Sequence, residues 1–318
     1  MNAPVLSGRV LALLALVLLA VPLFLSRFGV YIATELLIWG LFAVSLDLLL
    51  GYTGLPSFGH AVFFGVPAYA FSIVLLRQDS FALAIAAALL AVVLLAVLVG
   101  YFALRTGGTG YIIVTLLASF AFFTFVLAAT GLTGGEDGLL LPRNRSFAAL
   151  PPKLGYAIVA AVAVACYLGA RALVRSNFGL LLLAIKSNER RVEALGYDVN
   201  AVKLLVTLAS ALIAGIAGVL YALLVRTLSA DLVGPALSNE VVIWVLLGGL
   251  QTLFGPVLGA ALFMSLKQIL STSTWYPLLL GLSFVAMVLW APRGVVSLFR
   301  FRRRAPAFQP SSPSGSLQ

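Results

Sequence analysis

The strongest constraint on this chain is a succession of apolar runs, each near the length of a membrane span and separated by short polar or Gly/Pro-rich breaks. A helix needs about 20 apolar residues to cross the hydrocarbon core, and there it satisfies its own backbone hydrogen bonds. The runs predict helices over residues 10–26, 30–50, 57–76, 81–104, 110–131 and 155–174, then 204–225, 239–250, 256–271 and 276–292. Composition points the same way: of 318 residues 62% are hydrophobic and 9% charged, and mean hydropathy is +1.13. A water-soluble globule is excluded. The expected fold class is all-α, a polytopic membrane protein with about nine or ten transmembrane helices.

The first run follows Arg9 and resembles a signal peptide, but further spans follow at once, so it reads as a retained helix. The formal charge of +10 does not point to nucleic acid, because the basic residues gather in loops and near the C-terminus. The positive-inside rule puts Arg105, the loop over 171–203 and the C-terminal tail in the cytoplasm, with both termini inside. Arg143, Arg145 and Lys153 remain on the other side. Two regions result: a transmembrane domain over 1–298 with a cytoplasmic loop at about 175–203, and a tail over 299–318. The tail is Arg-rich, then Pro/Ser-rich, and reads as disordered, with its arginines on anionic lipid.

Two glycine-rich stretches interrupt the pattern, one in each half: LLLGYTGLPSFGHAVFFG from Leu48 and VLLGGLQTLFGPVLGA from Val245. Each ends in Phe-Gly before a new helix, as Phe58-Gly59-His60 and Phe254-Gly255-Pro256. Broken helices in corresponding halves point to an internal repeat and a substrate path; glycines that only let helices pack closely are the alternative. The run 239–250 is too short to span, at about 18 Å, and reads as a re-entrant or broken helix.

Chemistry is sparse. There is no Gly-Lys pair, so no phosphate-binding loop of the G-x-x-x-x-G-K-[ST] type exists. His60 is the only histidine and Cys166 the only cysteine, which removes histidine-pair zinc motifs and cysteine clusters. No metal, cofactor or covalent catalysis is expected. Glu35, Asp47, Glu240 and Lys267 lie inside apolar runs, where a charge costs about 2.5–3.5 kcal/mol or more at the bilayer centre. Asp47 and His60 either line a polar path, or relay protons in an ion-coupled carrier, or Asp47 caps the unwound break; Glu35, Glu240 and Lys267 read as interface residues. Polar groups at lipid depth need a cavity or a partner, so Thr53, Ser57, His60, Thr115 and Ser119, with Gly54, are the candidate substrate path.

The most polar internal segment runs from Phe178 to Lys203. Leu181, Ile185, Val192 and Leu195 follow helical spacing, Glu189, Arg190 and Glu193 fall on the remainder, and Gly196 ends the helix. A short amphipathic helix of this kind rests on lipid or docks into a partner's groove.

Over roughly residues 30–298 these motifs together resemble the M-type permease subunits of branched-chain amino acid ABC importers. The residues that carry the likeness are GYTGLPSFGHAVFFGVPAY from Gly51, YIIVTL from Tyr111, TGGEDGL from Thr133, AIKSNERRVEALGY and the late glycine-rich stretch. The resemblance implies a non-enzymatic subunit of the bacterial inner membrane, forming half of a translocation path. It implies a homologous second permease, two cytoplasmic ATPase subunits, an extracytoplasmic binding protein and membrane lipid as partners. By match to the family's coupling loop, Asn188, Glu189, Arg190, Arg191, Glu193, Ala194, Leu195 and Gly196 would dock the ATPase. Leu55-Pro56 and Pro67 depart from the family pattern, and no acidic residue lies in Ser119–Phe122. The implied path is more apolar for it, and the substrate class extends to urea, amides and aromatic acids.

Overall fold

The computed structural model describes residues 24–270 without a gap, together with single positions 22, 275, 278, 281, 282, 285, 294 and 295. The helices expected at 10–26 and 276–292 and the tail at 299–318 fall almost entirely outside the described residues. Within them the order is α1 (Arg27–Asp47), α2 (His60–Gln78), α3 (Phe81–Thr106), α4 (Gly108–Ala128) and α5 (Pro152–Arg175). Then come α6 (Asn177–Ser187), α7 (Glu189–Ala194), α8 (Val199–Val225), α9 (Pro235–Gly248) and α10 (Phe254–Leu270). Six helices, α1 with its extension to Thr53, α2, α3, α4, α5 and α8, are long and apolar enough to cross a membrane. The all-α polytopic class therefore holds.

Local chemistry sets the ends. Ser26 caps α1 by accepting from the Gly29 amide at 3.2 Å, Ser80 caps α3 through Leu83, and Asp198 caps α8 through Ala201 at 3.0 Å. Pro152 and Pro235 open α5 and α9, where a missing N–H costs nothing. The end of α1 was expected near residue 50; instead the helix widens into a π-type turn over Leu48–Thr53, ending at Gly54 with φ 76°.

A buried aromatic cluster ties α1, α2, α8, α9 and α10 together. Trp39 stacks on Phe64 at 5.2 Å and meets Tyr221 at 4.9 Å and Trp244 at 5.5 Å, and Trp244 in turn meets Phe263 at 5.9 Å. Helices approach closely around it because small residues let them: a Cβ on Gly218 of α8 would overlap the Phe64 carbonyl of α2. Gly218→Val is expected to lower the thermal midpoint in detergent by several degrees, since overpacking of this kind costs about 1–3 kcal/mol. A midpoint equal to wild type would refute the close α2–α8 contact.

The run 239–250 resolves into α9, whose 14 residues make about 21 Å. Its start lies inside the bundle. After Arg226 (φ 72°), β2 (Thr227–Leu228) pairs antiparallel with β1 (Leu139–Leu140), and the chain then runs down α2 in the opposite direction. Tyr69 donates to Leu228 O at 3.0 Å, Gly65 abuts Leu232, and the Ala61 amide donates to Ser238 Oγ at 3.0 Å. Segment 226–234 is thus a re-entrant strap, and α9 begins beside the N-terminus of α2. At the C-terminal end of α2, Arg145 pairs with Asp79 at 2.8 Å and donates to Leu75 O at 3.0 Å, which fixes the 141–150 loop to that helix.

Candidate functional site

The two glycine-rich breaks meet. Asp47, at the end of α1, accepts from the Gln251 amide through Oδ1 at 3.0 Å and from the Leu253 amide through Oδ2 at 3.1 Å. Tyr52 donates to Gln251 O at 2.9 Å. Gln251 (φ 63°) and Leu253 (φ 54°) both sit in the left-handed region, where non-glycine residues are uncommon. The turn between α9 and α10 is therefore held in a costly shape by side chains of the first break. Of the two sequence readings for Asp47, capping unwound backbone is the one seen, although the backbone capped belongs to the other break.

From the loop side, Lys186 at the end of α6 donates to Gly51 O at 2.6 Å, satisfying a carbonyl that the widened turn leaves over. Burial lowers the Lys186 ammonium from the usual lysine range, and the nearby Asp47 carboxylate works against that shift. A charge, a carboxylate and two irregular backbone segments thus form one knot.

Most of the expected path residues make contacts within the subunit. Thr53 Oγ1 donates to Leu48 O at 3.0 Å within the widened turn. Thr115 Oγ1 donates to Ile112 O at 3.0 Å and accepts from the Phe58 amide at 3.3 Å, holding the loop before α2 against α4. Ser119 donates to Val233 O at 2.7 Å, pinning the re-entrant strap to α4. His60 Nε2 lies 2.8 Å from Ser45 Oγ, its ring stacked on Phe42 at 5.3 Å. Ser45 Oγ already donates to Phe42 O at 2.6 Å, so Nε2 is the donor in that pair, and the proton sits on Nε2.

Ser57 Oγ and His60 Nδ1 are buried without a hydrogen-bond partner, while Gly54 is exposed against the Lys186 stem. Within this subunit these side chains frame the breaks. A groove of about 670 Å³ lies elsewhere, between α2, α3, α5 and α8 under Phe147; its walls are mainly apolar, Ile85, Leu89, Ile158, Val162 and Ile216 among them, with Asp79 and Arg145 also lining it.

The loop reading needs one correction. The single amphipathic helix expected over 178–196 is two helices broken at Asn188, whose side chain accepts from the Arg191 amide at 3.1 Å and caps α7. Val192, placed by helical spacing on the same apolar side as Leu195, faces inward with Leu182, Ile185, Val199 and Val202. Glu189 pairs with Lys203 of α8. Arg190, Arg191, Glu193, Ala194, Leu195 and Gly196 are exposed, Leu195 at 76%. Tyr197, missed from the sequence, adds an exposed ring at 53%; its place directly after the terminating Gly196 was the available signal. Among the described residues no group of three or more metal-ligating side chains exists.

Residues 28–291 match the family described as branched-chain amino acid transport system / permease component. The high-affinity branched-chain amino acid transport system permease protein LivM of Escherichia coli (strain K12) is 27% identical over 323 residues, covering 91% of this chain and 75% of the relative. LivM of Salmonella typhimurium (strain LT2) is 27% identical over 320 residues, with the same two coverages. No solved structure matches the chain. With a family match over that span on an all-α bundle of membrane-crossing helices, the chain belongs to the permease components of branched-chain amino acid transport systems.

Proposed function

We propose that this chain is one of two membrane-spanning permease subunits in an ATP-binding-cassette importer of the bacterial inner membrane. It forms half of the translocation path for branched-chain or related amino acids. ATP is hydrolysed by separate cytoplasmic subunits, and an extracytoplasmic protein delivers the substrate. The family match supports the permease role; the observation that carries the mechanism is the contact chain from α7 to the breaks. The exposed surface of α7 with Leu195 and Tyr197 offers a partner a docking site. Behind it Val192 packs on α6, whose Lys186 grips Gly51 beside Asp47.

A push on α7 therefore reaches both broken helices through side chains in contact. Thr53, Gly54, Ser57, His60, Thr115 and Ser119 act as the frame of the moving junction, and the path runs beside them. The ion-coupled alternative has less to work with: the Asp47 carboxylate is engaged by two amides, and His60 is bonded to Ser45 instead.

Reconstitution tests the reading. Proteoliposomes holding this chain, a homologous permease, the ATPase subunits and the binding protein should take up leucine only with ATP inside and only when all components are present. Leucine uptake by this chain alone, driven by an ion gradient, would overturn it.

A further inference from the structure

Glu240 and Lys267, read from the sequence as interface residues, pair with each other. Lys267 Nζ donates to Glu240 Oε1 at 3.1 Å and Oε2 at 3.3 Å, linking α9 to α10, and the two side chains remain 30% and 38% exposed. Their depth follows from the aromatic cluster. Trp39 lies close to the middle of the 27-residue span Arg27–Thr53, and Trp244 packs against it. Glu240 precedes Trp244 by one helical turn, so its backbone is within about 6 Å of that level.

Half-open charges at such depth do not face hydrocarbon, which penalises them by kilocalories; they face water or a polar partner. Leu237 and Ile243 on α9 and Met264 on α10 sit three residues from the two charges and are partly buried apolar neighbours.

We propose that Glu240 and Lys267 form the site at which the zwitterionic head of an aliphatic α-amino acid is held during passage. The assignment rests on the permease reading above and deepens it. Lys267 takes the substrate carboxylate, Glu240 takes its ammonium, and Leu237, Ile243 and Met264 flank the aliphatic side chain. Empty, the pair neutralises itself; loaded, it exchanges one neutral ion pair for two, so net charge in the low-dielectric interior never changes. That property suits a site that must be vacated as readily as it is filled. A neutral amide or urea cannot replace both charges.

The test uses the complete reconstituted complex with Cys166, the single native cysteine, changed to alanine and a new thiol at the exposed position Ala236, one turn before Glu240. A membrane-impermeant, negatively charged methanethiosulfonate, applied to each side in turn, should label Ala236→Cys. Millimolar leucine should slow labelling at least fivefold and urea should not. Adding Glu240→Gln should leave labelling intact and abolish the leucine protection.

A thiol that does not react would place this face against lipid or a dry contact and overturn the site. Labelling that leucine does not slow, or that leucine slows equally in the Glu240→Gln background, would overturn it as an amino-acid site. Labelling needs no ATP, whereas the importer reading stands or falls on ATP-dependent uptake by the unmutated complex, so the two failures are distinguishable.

Discussion

Asp47→Ala is expected to lower the thermal midpoint of the detergent-solubilised protein by about 6–20 °C and to cut the yield of monodisperse protein. The carboxylate accepts from the Gln251 and Leu253 amides with no exposure to solvent. Hydrogen bonds to a charged group contribute about 1.5–3 kcal/mol each, and a buried donor left unsatisfied costs about 1–3 kcal/mol. A combined loss of about 3–5 kcal/mol translates to that range at about 2–4 °C per kcal/mol. It falls on a turn whose Gln251 and Leu253 already occupy left-handed backbone, so little else retains the shape.

Asp47→Asn keeps one acceptor oxygen and aims an amide donor at the other N–H, so its midpoint should lie between those of alanine and wild type. Fluorescence-detected melting of the three proteins decides the matter. If the alanine variant melts within a degree of wild type, the two breaks are not tied through this carboxylate.

The second large effect is expected at Leu195. This side chain is 76% exposed beside Glu193 and Tyr197 on the same loop. Its exposure has no structural benefit inside the subunit, since Val192 and the Glu189–Lys203 pair already hold α7 to the bundle. Leu195→Asp should lower co-purification of the ATPase subunits and substrate-stimulated ATP hydrolysis by more than tenfold, because an unpaired charge in a docking groove costs about 2–5 kcal/mol. Thermal stability of the permease itself should not move. Full recovery of ATPase subunits with normal coupled transport would reject the docking role and leave α7 as a helix resting on lipid.

The spans were legible because each is a run of apolar residues, several of them opened by a capping side chain or a proline, and those signals are local. Ser80 before Phe81 and Asp198 before Val199 could be read directly. What the runs do not encode is how an end is finished: nothing in Leu48–Thr53 distinguishes a widened turn from a regular one. The break at Asn188 was readable in principle, since Asn followed three residues later by a free amide is a capping pattern. Helical periodicity carried across it, and Val192 was placed on one side with Leu195 as a result.

The framing residues were found by polarity at lipid depth, a sound rule for burial that does not say whether the partner is a substrate or a neighbouring carbonyl. Ser119 shows the difference, its hydroxyl being directed to Val233 O, 114 residues away. Pairings of that range, like that of Leu139 with Leu228, follow from the assembled bundle and from no single stretch of chain.

The tie between Asp47 and the turn after α9 also sets a timetable for biogenesis. Its partners are 204 and 206 residues downstream, so at about 5–20 residues per second the ribosome needs roughly 10–40 s to deliver them. For most of that interval α1 and α2 have been made, while the amides that donate to the carboxylate have not. The nascent first half must therefore wait beside water, the insertion machinery or another subunit, and it closes only when the last quarter of the described chain has been made.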